Sequence, residues 1–196
     1  MDRKEHNTEF YKKSIREFGI SAQGVHWNSL YTQYKRFEVI TKLIRKVISK
    51  STIVDVGCGF AEYYNYLIIN NRVPKNYIGY DCEIDMVNIS KKRFIEQEFY
   101  LIDILKDRLN IADYYICSGA MNLLKKDDID IFIKKCFEVS KKGFIFNYLK
   151  DITFENISQS EILYICKKYT NEIVIKDNYL DNNIITDKLI NKINEL

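Results

Sequence analysis

Residues 52–68, TIVDVGCGFAEYYNYLI, form an apolar run that stops at Gly57 and Gly59 and resumes with helical spacing. The pattern is that of a strand, a tight turn and a helix. Bare backbone at such a junction lets a ligand approach main-chain N–H groups at the positive end of the helix dipole. A dinucleotide fingerprint requires G-x-G-x-x-G, with the third glycine packing helix against strand. Here Gly57-Cys58-Gly59-Phe60-Ala61 continues into Glu62, and no G-x-x-x-x-G-K-[ST] stretch occurs elsewhere. What remains is D-x-G-x-G-x-A from Asp55, an acid placed to hold the loop or to meet the ammonium of an amino-acid-like ligand. Taken alone, the same pattern also fits a structural turn with an incidental Asp.

Outward from this turn, strand-like and helix-like segments alternate. Phe37, Ile40, Ile44, Val47 and Ile48 recur at helical spacing and predict an amphipathic helix over 34–49. After the glycine turn come NYIGYD, a strand ending at Asp81, and a helix from Met86 to Phe94. EFYLID is expected to end a third strand at Asp103, and DYYICSG a fourth near Ser118. Ile129, Phe132, Ile133, Cys136 and Phe137 share one helical face, GFIFNYL is a fifth strand, and 161–169 a further helix. Two β-rich stretches, EIVIKDNYL and IITDKLI, are expected to close the chain as an antiparallel hairpin. Strand and helix alternating at this spacing imply an α/β fold, a mostly parallel sheet covered on both faces.

Composition narrows the class. The 196 residues, 46% of them hydrophobic, suit one globular domain, 1–196. A net charge of +3 is spread over interspersed residues, and the longest basic run is Lys91-Lys92-Arg93, so no strong nucleic-acid signal is present. Five cysteines, an odd count without a C-x-x-C pair, read as reduced thiols rather than disulfides or a zinc site. The charged start MDRKEHNTEF has no apolar core, and no apolar run reaches membrane-spanning length. A cytoplasmic protein without a bound metal or membrane segment is expected.

Two further acids reinforce the glycine turn. Asp81 stands where a carboxylate can accept hydrogen bonds from both ribose hydroxyls. Asp103, followed by Ile104, is placed to bind an adenine edge through a carboxylate and a backbone N–H. Each acid could instead cap a helix; three acidic strand ends around one glycine turn favour a nucleoside-bearing ligand.

In these segments the chain resembles the class I S-adenosylmethionine-dependent methyltransferases. VDVGCGFAEYYNYL resembles their first motif, YIGYDCEIDMV the second, FYLIDIL the adenine-binding segment and ADYYICSGAMN the fourth motif. More narrowly, W-x-S-x-x-x-Q-x-x-R-F from Trp27, S-G-x-x-N from Ser118 and F-N-x-L from Phe146 resemble small bacterial methyltransferases, mostly of unassigned substrate. The resemblance implies a Rossmann-like seven-stranded sheet ending in an antiparallel hairpin. It implies cofactor contacts at Asp55, Gly57, Cys58 and Gly59, at Asp81, Cys82 and Met86, at Asp103 and Ile104, and at Ser118 and Gly119.

The acceptor is less constrained. The one proline, Pro74, precedes Lys75, so neither an N-P-P-Y motif of adenine and glutamine methylation nor the Pro-Cys of cytosine-C5 enzymes can be present. Ser118-Gly119-Ala120-Met121-Asn122 stands at the fourth strand end instead, with Asn122 as one candidate orienting amide. Residues 1–50 leave little room for a separate recognition domain, which favours a small metabolite or sugar over a macromolecule. This segment is expected to be lid and acceptor wall: Trp27 beside the sulfonium or packed on the sheet, Arg36 on the methionyl carboxylate or exposed. His26 titrates in the right range for a general base, but the resemblance does not single it out. Two alternatives from other classes stand: a non-catalytic cofactor-binding scaffold, and an NAD-dependent reductase, against which the missing third glycine argues. Oligomeric state is left open.

Overall fold

A computed structural model describes residue 19 and residues 29–148 and 157–176. Ser29 starts the first described helix, α1 (Leu30–Ile44), its hydroxyl accepting the Thr32 N–H at 3.2 Å. The helix thus begins four residues earlier than periodicity predicts. It stops at Ile44, and a 3-10 turn, Ile48–Lys50, completes the approach to β1 (Thr52–Val56). The remaining elements are α2 (Glu62–Ile69), β2 (Asn76–Asp81), α3 (Ile84–Arg93), β3 (Glu98–Leu101), β4 (Ala112–Ser118), α4 (Lys126–Val139), β5 (Ser140–Asn147) and α5 (Gln159–Lys167).

The strands lie in the order β3-β2-β1-β4-β5, and every pairing is parallel. Residues alternate between two apolar layers, as a two-faced sheet requires. Val54, Val56, Tyr115, Cys117, Phe144 and Phe146 pack on one face against α4 and α5 through Phe132, Ile133 and Ile162. Ile53, Ile116 and Ile145 pack on the other against α1, α2 and α3 through Phe37, Ile40, Tyr63, Leu67 and Val87.

Among the described residues the sheet has five strands, not the expected seven. Of the two closing β stretches only 172–176 is described, and it carries no strand; the rest of the expected hairpin lies outside the described residues. The third strand also differs from expectation, since it stops at Leu101 and Asp103 sits in the turn beyond it. Among the described residues no helix is long and apolar enough to cross a membrane.

The order reverses between β1 and β4, so the chain leaves these neighbours toward opposite faces. A crevice opens at their carboxyl ends, where ligands of open α/β sheets bind. The two loops at this point touch: a Cβ on Gly57 would fall 2.3 Å from the Ala120 Cβ. Gly57 has φ +70° and Gly119 +90°, so both loops turn through left-handed backbone.

Candidate functional site

The glycine loop lies at the end of β1, and four of its N–H groups are already occupied. Gly57 and Cys58 both donate to the Tyr80 carbonyl, at 2.8 and 3.0 Å. Gly59 donates to Asp81 Oδ2 at 2.8 Å, and Ala61 to the Cys58 carbonyl at 2.8 Å. A pyrophosphate cradle needs such groups free to face the anion. Here four of them serve the loop itself, a property that spacing of glycines alone does not reveal.

Asp81 is the hinge of this arrangement. It ends β2, is 8% exposed, and takes the Glu83 N–H on Oδ1 at 2.9 Å in addition to Gly59 on Oδ2. Burial pushes its carboxyl up to about 6, against the pull of the Glu83 and Gly59 hydrogen bonds. A carboxylate offers about four lone-pair sites, so Asp81 keeps capacity for a further hydroxyl donor.

Asp55 points to the α1–α3 side of the sheet and is buried. It accepts the Tyr77 hydroxyl at 2.5 Å. Burial pushes its carboxyl up to about 7; the Tyr77 hydrogen bond opposes this and the nearby Asp81 charge adds to it. Cys58 is buried, and burial with the Asp81 and Asp55 charges pushes its thiol well up, which makes it a packing group rather than a nucleophile.

Helix α3 clamps the loop from outside. Ser90 Oγ donates to the Gly59 carbonyl at 2.7 Å, and Arg93 donates to the Phe60 carbonyl. Arg93 also pairs with Glu62 at 2.9 Å, in the first turn of α2. Glu62 in turn accepts Tyr34 Oη from α1 at 2.7 Å and Asn65 Nδ2 at 2.8 Å. Burial and the Glu62 hydrogen bond raise the Tyr34 hydroxyl to about 12, so it stays a donor. Ser90, Arg93, Glu62 and Tyr34 were not singled out by the sequence. Their partners lie in the glycine loop or on other helices, and local periodicity carries no sign of such pairing.

The other expected contacts surround the same crevice. Met86 is buried in α3 and Cys82 is exposed in the turn after β2. Asp103 caps its own turn, Oδ1 accepting the Leu105 N–H at 3.1 Å, with Ile104 buried beside it. Ser118 ends β4, Gly119 follows, and Asn122 lies in the 3-10 turn Ala120–Leu123. Arg36, expected either on a carboxylate or exposed, is 3% exposed and donates to the Thr32 carbonyl at 3.1 Å. Trp27 and His26 lie outside the described residues. Among the described residues no group of His, Cys, Asp or Glu could hold a metal ion.

No family model matches the sequence, and no curated protein matches it. Solved structures do match its fold. The N-methyltransferase NodS of Bradyrhizobium japonicum, crystallised with S-adenosyl-L-homocysteine, superposes with a TM-score of 0.72 at 13% identity, over 98% of this chain and 99% of its own. Magnesium protoporphyrin IX methyltransferase from Synechocystis, with bound S-adenosylmethionine, gives 0.70 at 12% identity over 97% of each chain. An S-adenosylmethionine-dependent methyltransferase from Clostridium acetobutylicum gives 0.66 at 14% identity, covering 99% of this chain and 100% of that one. At such identities the likeness is one of architecture, and it agrees with the strand order and switch-point crevice described above: the chain has the fold of the class I S-adenosylmethionine-dependent methyltransferases.

Proposed function

We propose that this protein is an S-adenosylmethionine-dependent methyltransferase that moves a methyl group to oxygen or nitrogen of a small molecule. The observation that carries the proposal is the loop at the end of β1: four of its N–H groups, at Gly57, Cys58, Gly59 and Ala61, are spent internally, while Asp81 at the end of β2 keeps acceptor capacity beyond the Gly59 and Glu83 N–H groups. That donor set fits a nucleoside with free ribose hydroxyls and no phosphate. It disfavours a nicotinamide dinucleotide, whose pyrophosphate requires open N–H donors.

In this reading Asp81 receives the ribose hydroxyls, with Cys82 beside them and Met86 packing beneath. Asp103 and the Ile104 backbone take the adenine edge, and the loop at Gly57, Cys58 and Gly59 lies along the cofactor. Asp55 fixes the loop from below through Tyr77. Ser118 and Gly119 line the methionyl end, and Arg36 meets the carboxylate. The bound cofactor would supply a methyl group on a sulfonium, open to in-line displacement. The protein's part is alignment of the acceptor and exclusion of water, worth roughly 7–11 kcal/mol when the geometry is right. His26 and Asn122 are the candidates for handling the acceptor's proton or orientation; Trp27 would close over the methyl group.

The same proposal extends beyond the described residues: one domain over 1–196, with 1–50, of which residue 19 and residues 29–50 are described, as lid and acceptor wall, and a sheet completed to seven strands by a closing hairpin. Two of the neighbours are by name a magnesium protoporphyrin IX methyltransferase and a plantazolicin methyltransferase, and the first of these supports a small acceptor here. A cytoplasmic location without nucleic-acid partners accords with the modest charge. Incubation with methyl-labelled S-adenosylmethionine and a deproteinised bacterial extract tests the activity. Labelled small products support it; stoichiometric binding of S-adenosylhomocysteine without any product would favour the scaffold alternative.

A further inference from the structure

Two buried amides on one face of the sheet lack a partner for their oxygens. Gln33 is 3% exposed and Asn147 1%, yet Gln33 Oε1 and Asn147 Oδ1 accept no hydrogen bond. A buried polar atom left unsatisfied costs the native protein free energy. A ligand with a hydrogen-bond donor is one partner that would complete such a group.

Their placement is common to both. Helix α1 runs down into β1, so its first turns stand at the carboxyl ends of the strands, about 17 Å above Ile44 at 1.5 Å per residue. The Tyr34 bond to Glu62, in the first turn of α2, fixes that level independently. Gln33 heads the buried stripe continued by Phe37, Ile40 and Ile44. Asn147 ends β5 and follows Ile145 by two, so it faces the same layer, in which Ile145 packs with Phe37 and Ile40. Asn147 Nδ2 donates to Ser118 Oγ, the last residue of β4, at 3.4 Å, which leaves its oxygen as the open end.

We infer that Gln33 and Asn147 form the acceptor-binding side of the crevice and select a small molecule that presents O–H or N–H donors, such as a polyol or an amine. This rests on the methyltransferase reading above and specifies its substrate. One amide oxygen beside the end of β4 and a second on α1 at the carboxyl-end level complement hydroxyls or an amine, and an acceptor with only apolar or accepting groups would leave both unpaired. Neither amide belongs to the nucleoside side, which is built around β2 and the glycine loop.

Gln33→Met and Asn147→Leu remove each amide at similar volume, and four readouts decide the matter. Apo melting temperature should rise by about 2–4 °C per variant as the unsatisfied oxygen is lost. Affinity for S-adenosylhomocysteine, measured by calorimetry, should stay within about two-fold. Transfer of labelled methyl to a deproteinised bacterial extract should fall at least about ten-fold in both, a loss of about 1.4 kcal/mol or more in transition-state binding. The label in the wild-type product should sit on a molecule bearing several O–H or N–H groups. If wild type binds cofactor and labels product but either variant labels as well as wild type, the inference is overturned and the methyltransferase reading stands. A fall in S-adenosylhomocysteine affinity equal to the fall in turnover would likewise overturn it, placing the amides on the cofactor. If wild type neither binds S-adenosylhomocysteine nor transfers label, the functional reading fails and takes the inference with it.

Discussion

The crevice has two sides that are built differently. On the β2 side, the glycine loop is tied at each turn: N–H groups to Tyr80 and Asp81, carbonyls to Ser90 and Arg93. On the β5 side, Gln33 and Asn147 carry buried oxygens with nothing bound to them. The first side has its geometry before any ligand arrives, which lowers the ordering cost of binding. The second holds unsatisfied polarity at a cost in stability, polarity that the methyl acceptor inferred above would satisfy.

The largest expected effect comes from breaking the first side outright. Gly57→Val puts a β-branched residue at φ +70° with its Cβ 2.3 Å from that of Ala120. Overpacking of about 1–3 kcal/mol and left-handed strain of about 1–2 kcal/mol add to roughly 2–5 kcal/mol of destabilisation. Urea denaturation should show this together with loss of cofactor binding; a stable variant that still binds would mean the two switch-point loops are not in contact. The obstacle is Ala120 of the facing loop, not only the cofactor's path.

Next in size is Asp81→Ala, which strands the Gly59 and Glu83 N–H groups. Hydrogen bonds to a charged group are worth about 1.5–3 kcal/mol, so S-adenosylmethionine affinity should drop at least about ten-fold. Calorimetry giving wild-type affinity would remove Asp81 from the ribose site. Smaller again is Ser90→Ala, which costs the Gly59 carbonyl one neutral donor, about 1 kcal/mol. Because this residue touches the loop from outside, the melting temperature should fall by roughly 2–4 °C while cofactor affinity changes little; the reverse pattern would put Ser90 inside the site.

The pH dependence is the subtlest contrast. Asp55 is raised from 3.8 to about 7 and Asp81 from 3.8 to about 6, in both cases chiefly by burial. The native state therefore binds these protons more tightly than the unfolded chain. Their contribution to stability is present in full below about pH 3.8 and is lost as pH rises through about 6 to 7. Urea midpoints of the apo protein should decline across that window, and Asp55→Asn, which keeps an acceptor for Tyr77, should flatten the decline. Cofactor affinity should move oppositely, since ribose hydroxyls favour an ionised Asp81. A midpoint that climbs from pH 4 to 7 in both proteins would contradict the burial of this pair.

Much of the first side was legible in the sequence. The apolar runs of β1, β2 and β4 are strands flanked by turn residues, and Gly57, Gly59 and Asp81 carry local signals of their own. What the sequence could not show is where N–H groups go, because Gly59 and Asp81 stand 22 residues apart and meet only in the folded sheet. The Ser90 and Arg93 clamps were missed for the same reason. Asp103 was placed at a strand end because EFYLID continues a β-like pattern, whereas pairing with β2 stops at Leu101. On the second side the sequence offered Gln33 and Asn147 only as motif letters; their burial without partners is a property of three-dimensional packing.

Calorimetric titration of the wild-type protein with S-adenosylmethionine, with NADH as the control, tests the central claim most directly. One molecule of S-adenosylmethionine bound per chain and no heat with NADH is the predicted result. Binding of NADH, or of neither compound, would contradict the assignment of this crevice to a phosphate-free nucleoside.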